Sequence, residues 1–183
     1  MYLQAWDIKE KVNERIYGEP KYYYKLLSWM CAKMVATKSG SIVELRHSSD
    51  GHFKQLFVVH SVFIQGFAMG CQPIIAIDST HMSGTYKGVL FSTTTYDAND
   101  FMFPLAFSVM SLENYENWSW FSQNLKKVVG DKEVVIISNR HPAFLRSVPE
   151  VFGLENHTYC YCHLKENFSS FLSKHNKKGN KGK

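Results

Sequence analysis

Apolar residues in this chain follow two kinds of spacing, and the change comes near residue 73. In the first part, Ala5, Ile8, Val12 and Ile16 recur at three- and four-residue steps, and Gly18 with Pro20 stops the run, which predicts a helix. A second helix is predicted from about Lys21 to Val35, with Tyr23, Leu26, Leu27, Met30 and Met34 on one side, broken by "TKSGS". "SIVELRH" and "HFKQLFVV" flank "SSDG", the pattern of a strand, a turn with Gly51, and a strand. "HSVFIQGFAMG" fits a strand or a helix and is read as a short helix. Beyond Pro73 the apolar runs shorten. "IIAID" predicts a fully buried strand ending on Asp78, and "GVLFSTTTYD" and "FMFPLAFSVM" predict two more, joined by the turn "DAND". "NYENWSWFSQNLKKVV" predicts a helix whose apolar face holds Trp118, Phe121, Leu125 and Val128 or Val129. "EVVIIS" predicts a fully buried fourth strand, "AFLRSVPEVF" a short helix, "HTYCYCHL" a fifth strand and "KENFSSFLSK" a closing helix.

The order after residue 72 is therefore β-β-β-α-β-α-β-α. A three-strand meander followed by alternation predicts an α/β (α+β) fold, a mixed sheet flanked by helices. Three segments follow: 1–72, helices and a hairpin leading into the core; 73–173, the core itself; and 174–183, a basic disordered tail. At 183 residues the chain is long enough to bury one proper core.

Charge changes the picture only once it is located. Of the net +5, all is carried by Lys174, Lys177, Lys178, Lys181 and Lys183, and the remaining sixteen basic residues balance sixteen acidic ones. The body is neutral, which argues against a broad nucleic-acid-binding face. The charged, amphipathic start is no signal peptide, and the apolar stretch from His60 to Ile77 is interrupted by Gln65, Gln72 and Pro73, so no membrane segment is expected. Four cysteines in a chain without a secretion signal predict free thiols in a reducing compartment.

Asp78, with a hydroxyl pair and His81 beside it in "DSTH", ends an apolar strand, where a carboxylate is well placed to hold a hard cation or to cap its own loop. In "HTYCYCHL", His157, Cys160, Cys162 and His163 suggest zinc, but on a strand Cys160 and Cys162 would face one way and the two histidines the other. A buried cysteine with a packed histidine is the competing reading. "ENYENWSWF" has the spacing of a core helix more than of a base-stacking platform, and Asp97 and Asp100 belong to a turn.

The stretch from "GCQPIIAIDSTH" through "SLENYENWSWF", then "IISNRHPAFLRSVPEVFG" and "HTYCYCHLKENF", resembles the Mutator-like element (MULE/MuDR) transposases of plants, and "ATKSGSIVEL" with "HFKQLFVVHSVFIQGFAMGC" resembles the segment leading into their catalytic domain. The resemblance implies an RNase H-like fold, DDE-type DNA cleavage and strand transfer, Mg²⁺ or Mn²⁺ held by three acids, DNA as partner, and the nucleus as the place of action. Two ions would clamp the scissile phosphate, and each lost carboxylate weakens the clamp. Asp78 matches the first acid, in a motif usually D-G-T-H in which Ser79 replaces the glycine. The second acid normally lies in S-D-R-H, where this sequence has Ser138-Asn139-Arg140-His141.

Asn139 thus stands where the family has its second aspartate, which implies an inactive enzyme with at most a weak, vestigial ion at Asp78. Asp131 or Glu133 is the alternative source of the charge. The third acid is expected beyond the C-x-x-H motif, here Cys160 and His163, and Glu150, Glu155 and Glu166 do not match it. A second copy or a partner chain is the candidate to complete such a site. Lys87, Arg140 and His141 are candidate DNA contacts. The competing function is a domesticated DNA- or protein-binding module, of the transcription-regulator kind, that kept the fold.

Overall fold

The computed structural model describes residues 9, 11–16, 18–83 and 87–179. Of the first predicted helix, residues 11–16 are helical with Val12 and Ile16 exposed, while Ala5 and Ile8 lie outside the described residues. Helix α1 spans Pro20–Thr37, with proline in its first turn, where no backbone N–H is needed. Strands β1 (Ile42–His47) and β2 (Phe53–Val59) form the hairpin, and α2 (Ser61–Gly70) follows, His60 Nδ1 accepting the Val62 N–H at its start. The meander is β3 (Ile74–His81), β4 (Val89–Tyr96) and β5 (Met102–Met110). Then come α3 (Tyr115–Val129), β6 (Val135–Ser138), α4 (Pro142–Phe152), β7 (His157–Tyr159) and α5 (Tyr161–Gly179). Among the described residues no helix is long and apolar enough to cross a membrane.

The seven strands form one mixed sheet in the order β1-β2-β5-β4-β3-β6-β7. The hairpin is therefore not merely a lead-in: β2 pairs antiparallel with β5 and extends the sheet of the meander. Only β6 and β7 run parallel to their neighbours, β6 beside β3 and β7 beside β6. These are the connections made through α3 and α4, as parallel pairing requires a crossover.

The core lies on one face. Phe57, Ile75, Ile77, Phe91 and Ile136 from the sheet meet Phe67, Trp118, Phe121, Leu125, Phe144 and Val148 from α2, α3 and α4. Trp118 is nearly perpendicular to Phe91 at 4.3 Å between ring centroids and crosses Phe144 at 4.4 Å. Phe121 meets Phe57, Phe91 and Trp118. Edge-to-face pairs of this kind add about 0.5–1.5 kcal/mol each beyond the area they bury.

Four boundaries or burial patterns differ from the sequence reading. The runs "IIAID" and "VVIIS" are not buried on both sides; they alternate, and Val135 is 39% exposed, because helices pack closely on one face only. Strand β3 does not end on Asp78 but continues to His81, because β4 keeps pairing with it there, His81 opposite Val89. "HTYCYCHL" is a strand only as far as Tyr159. The Cys160 N–H still bonds the Ser138 carbonyl at 2.8 Å, but its own carbonyl accepts the Leu164 N–H, so α5 starts four residues before "KENF". Finally, the backbone is helical to Gly179, where the sequence suggested a disordered tail from Lys174.

The core assignment predicts that Phe121→Ala, at a fully buried site, costs about 3–5 kcal/mol in urea unfolding. Phe168→Ala, on the exposed side of α5, should change stability by no more than about 0.5 kcal/mol. Equal losses would show that α5 belongs to the core.

Candidate functional site

The site is built where two parallel strands end. Ala76 of β3 pairs with Ile137 of β6, and the same register carried two residues further sets Asp78 beside Asn139. Adjacent strands lie about 4.8 Å apart, so the two residues expected to share an ion are neighbours. Beyond β6 the chain turns at once into α4. Asn139 Oδ1 accepts the His141 N–H at 3.0 Å and closes this turn, and Pro142 opens the helix.

Alternation along β3 sends consecutive side chains to opposite faces. Asp78 is 64% exposed on the face away from the core; its Oδ1 accepts the Ser79 N–H at 2.9 Å and lies 3.8 Å from His163 Nε2 in the first turn of α5. Ser79 and His81 belong to the other face. There Ser79 Oγ donates to Glu113 Oε1 at 3.0 Å, and His81 Nε2 lies 3.9 Å from Glu113 Oε2. His141 Nδ1, buried and without a hydrogen-bond partner, is 4.0 Å from Glu113 Oε1.

Glu113 was missed by the sequence reading. Its carboxylate is only 12% exposed, and it sits just before Asn114, whose side chain accepts the Asn117 N–H at the start of α3. In sequence it is one acid in "SLENYEN", indistinguishable from Glu116, which instead pairs with Lys54 at 2.8 Å. The available signal was position: a carboxylate just before a helix N-terminus that follows a strand.

The C-x-x-H motif is a helix start. Cys160 precedes α5 and His163 lies three residues on, the spacing of a side chain that caps a helix and its third residue. The backbone N–H of His163 faces the Cys160 sulfur and lowers its thiol pKa below the usual 9.0; the His163 ring and the Cys162 amide act the same way, against the opposing effect of burial. The histidine is raised in turn, chiefly by Cys160 and further by Asp78 and Glu166.

Because Cys162 and His163 lie on a helix, the expectation of alternating faces along a strand does not apply to them. His157, the other suggested zinc ligand, is engaged elsewhere: Nε2 is 3.0 Å from Ser138 Oγ and the ring crosses Phe144, and burial depresses its pKa. Arg140 is exposed beside the turn, and Lys87 is exposed on the β3–β4 connection. Neither touches Asp78 in any described contact.

The donor set does not fit a two-ion clamp. Asp78 supplies one carboxylate, Asn139 supplies a neutral amide whose oxygen already serves the turn, and Glu113 is reached from the opposite face of β3. Among the described residues no three His, Cys, Asp or Glu side chains converge closely enough to hold a metal ion.

The cap geometry carries a pH signature. Alkylation by iodoacetamide follows the thiolate fraction, so the pH midpoint for Cys160 should fall below 9.0. His163→Ala should move it upward. Cys31 and Cys71, whose pKa values burial raises, should label slowly at neutral pH. Peptide mass spectrometry resolves the sites, and an unchanged Cys160 profile in His163→Ala would refute the contact.

Residues 74–167 match the MULE transposase domain, from the first residue of β3 into α5. No curated protein matches the chain. The matched segment covers just over half of the 183 residues and contains Asp78, Asn139 and the C-x-x-H motif. With it come DNA as partner and a divalent cation as the cofactor of the family's reaction. The chain is therefore a member of the MULE transposase domain family.

Proposed function

We propose that this chain is the catalytic-domain core of a plant MuDR-type transposase with an RNase H-like fold, in which DDE strand cleavage has been lost while contact with DNA is kept. The observation that carries the reading is Asn139. It follows β6 directly, two residues past the Ile137 that pairs with Ala76, where the resembled motif has a carboxylate, and its oxygen accepts the His141 N–H. An amide oxygen lacks the charge that lets a carboxylate compete with water for Mg²⁺. The alternative acids do not replace it. Asp131 and Glu133 precede Val135 and so lie at the opposite end of β6, roughly 13 Å away along a strand of this length.

What remains is a DNA-facing platform. Arg140 is exposed at the strand ends, and His141 sits half-buried beside it, its ring 6.4 Å from Trp118. On this reading the two position a phosphate near Asp78 without activating a nucleophile against it, and the protein acts in the nucleus.

Calorimetric titration with Mn²⁺ tests the loss of chemistry. The unmodified chain should take up little ion, Asn139→Asp should bind at least about tenfold tighter, and Asp78→Ala in that background should remove the gain. Tight binding by the unmodified chain that Asp78→Ala abolishes would overturn the proposal, because Asn139 would then be a competent ligand.

A further inference from the structure

A basic groove lies away from the strand ends and opens toward them. It encloses about 640 Å³ between α1, the hairpin turn, the β3–β4 connection and the end of β5. Lys21, Lys25, Lys87, His47 and His52 line it, with no carboxylate in its wall among the described residues. Lys21 is paired with Glu19 at 2.5 Å and His52 with Asp50 at 2.9 Å, both acids outside the lining. Lys25 and Lys87 have no ion-pair partner among the described residues; Lys25 lies over the Tyr22 ring. Tyr24 and Phe53, in contact at 5.3 Å between centroids, add an aromatic wall.

This concentration of charge is local, since the body of the chain is neutral, and the fold creates it. Lys21 and Lys25 are one helical turn apart on α1, while Lys87 comes from more than sixty residues away. Gly88 permits the approach: a side chain there would meet the Met110 carbonyl at 2.8 Å. A second cavity of about 540 Å³ shares Met82, Lys87, Gly88 and Ser111 with the first and continues to His81 and Glu113. The two form a track from the lysines to the end of β3.

We infer that this track binds one strand of DNA, its phosphates on Lys25 and Lys87 and a base against Tyr24 and Phe53, and leads it toward the His81 end of β3, on the face that carries Glu113. The inference rests on the transposase reading for its choice of DNA. A groove in the size range of small-ligand pockets accommodates a single backbone. Cations for phosphate and rings for bases are the two elements of single-strand binding. The carboxylate of Glu113, bonded to Ser79, closes the far end, so the strand's phosphates stop short of it.

Fluorescence anisotropy of the full chain with a short labelled single strand, and with a duplex of the same sequence, tests this across a salt series. The double variant Lys25→Gln/Lys87→Gln should bind the single strand about tenfold more weakly at about 50 mM salt. Its log–log salt slope should fall by about 1.4, two phosphates at roughly 0.7 each. Tyr24→Ala should weaken the single strand more than the duplex. Lys177→Gln/Lys178→Gln controls for the basic C-terminus and should change affinity less, and circular dichroism confirms that every variant is folded. If the parent binds and the Lys25/Lys87 variant matches it, the track is wrong while the DNA reading stands. If the C-terminal control loses the affinity instead, the track is likewise wrong. If the parent binds neither DNA at low salt, the DNA reading itself fails, and the track with it.

Discussion

Trp118 is the residue on which the arrangement turns. It lies on the first turns of α3, yet its ring is held by Phe91 from the sheet, Phe121 from its own helix and Phe144 from α4. Fixing one ring on three sides sets the distance between both helices and the sheet at once. His141 rests against the same ring, so the turn after β6 is positioned by the core rather than by its own few bonds. The indole N–H is buried without a partner, a cost of about 1–3 kcal/mol that only extensive packing offsets. The site is thus a by-product of hydrophobic packing: the strands aim the residues, and the aromatic cluster fixes the loops between them.

That origin explains which parts of the molecule were legible in sequence. Helical spacing of Trp118, Phe121 and Leu125 reports a face that really is buried, because period alone decides which side of a helix meets the sheet. The meander and its turn were equally readable, since "DAND" forms a local bond pattern, Asp97 Oδ1 accepting the N–H groups of Asn99 and Phe101. The end of β7 was not. "HTYCYCHL" has a strand's composition, but the Cys160 sulfur and carbonyl begin a helix, and a cap is invisible to a reading of periodicity. Burial on both faces of "IIAID" was also inferred wrongly, because an apolar run does not say whether one layer or two will cover it.

The candidate site divides in the same way. Asp78 and Asn139 were legible because each directly follows an apolar run, and the parallel pairing of β3 with β6 then brings those runs side by side. Glu113 was not, because nothing local distinguishes it from Glu116. Only the tertiary fold brings Ser79 from β3 to one carboxylate and Lys54 from β2 to the other. The basic groove was hidden for the same reason: its charges come from separate elements, and a neutral composition masks a local excess.

The exchange that the proposed reading assigns to position 139 is unusually cheap for the fold. The turn needs one oxygen, two atoms from the backbone branch point, to accept the His141 N–H, and asparagine and aspartate supply it equally. Pro142 would start α4, and Phe144 would pack on Trp118, with either residue in place. The charge, by contrast, serves nothing in the surrounding structure, as no cation pairs with position 139 in any described contact. Folding and chemistry therefore place separable demands on one side chain: geometry for the turn, charge for an ion. A substitution that keeps the first and discards the second leaves the sheet, its loops and the basic groove intact, with selection on the fold unable to detect the loss.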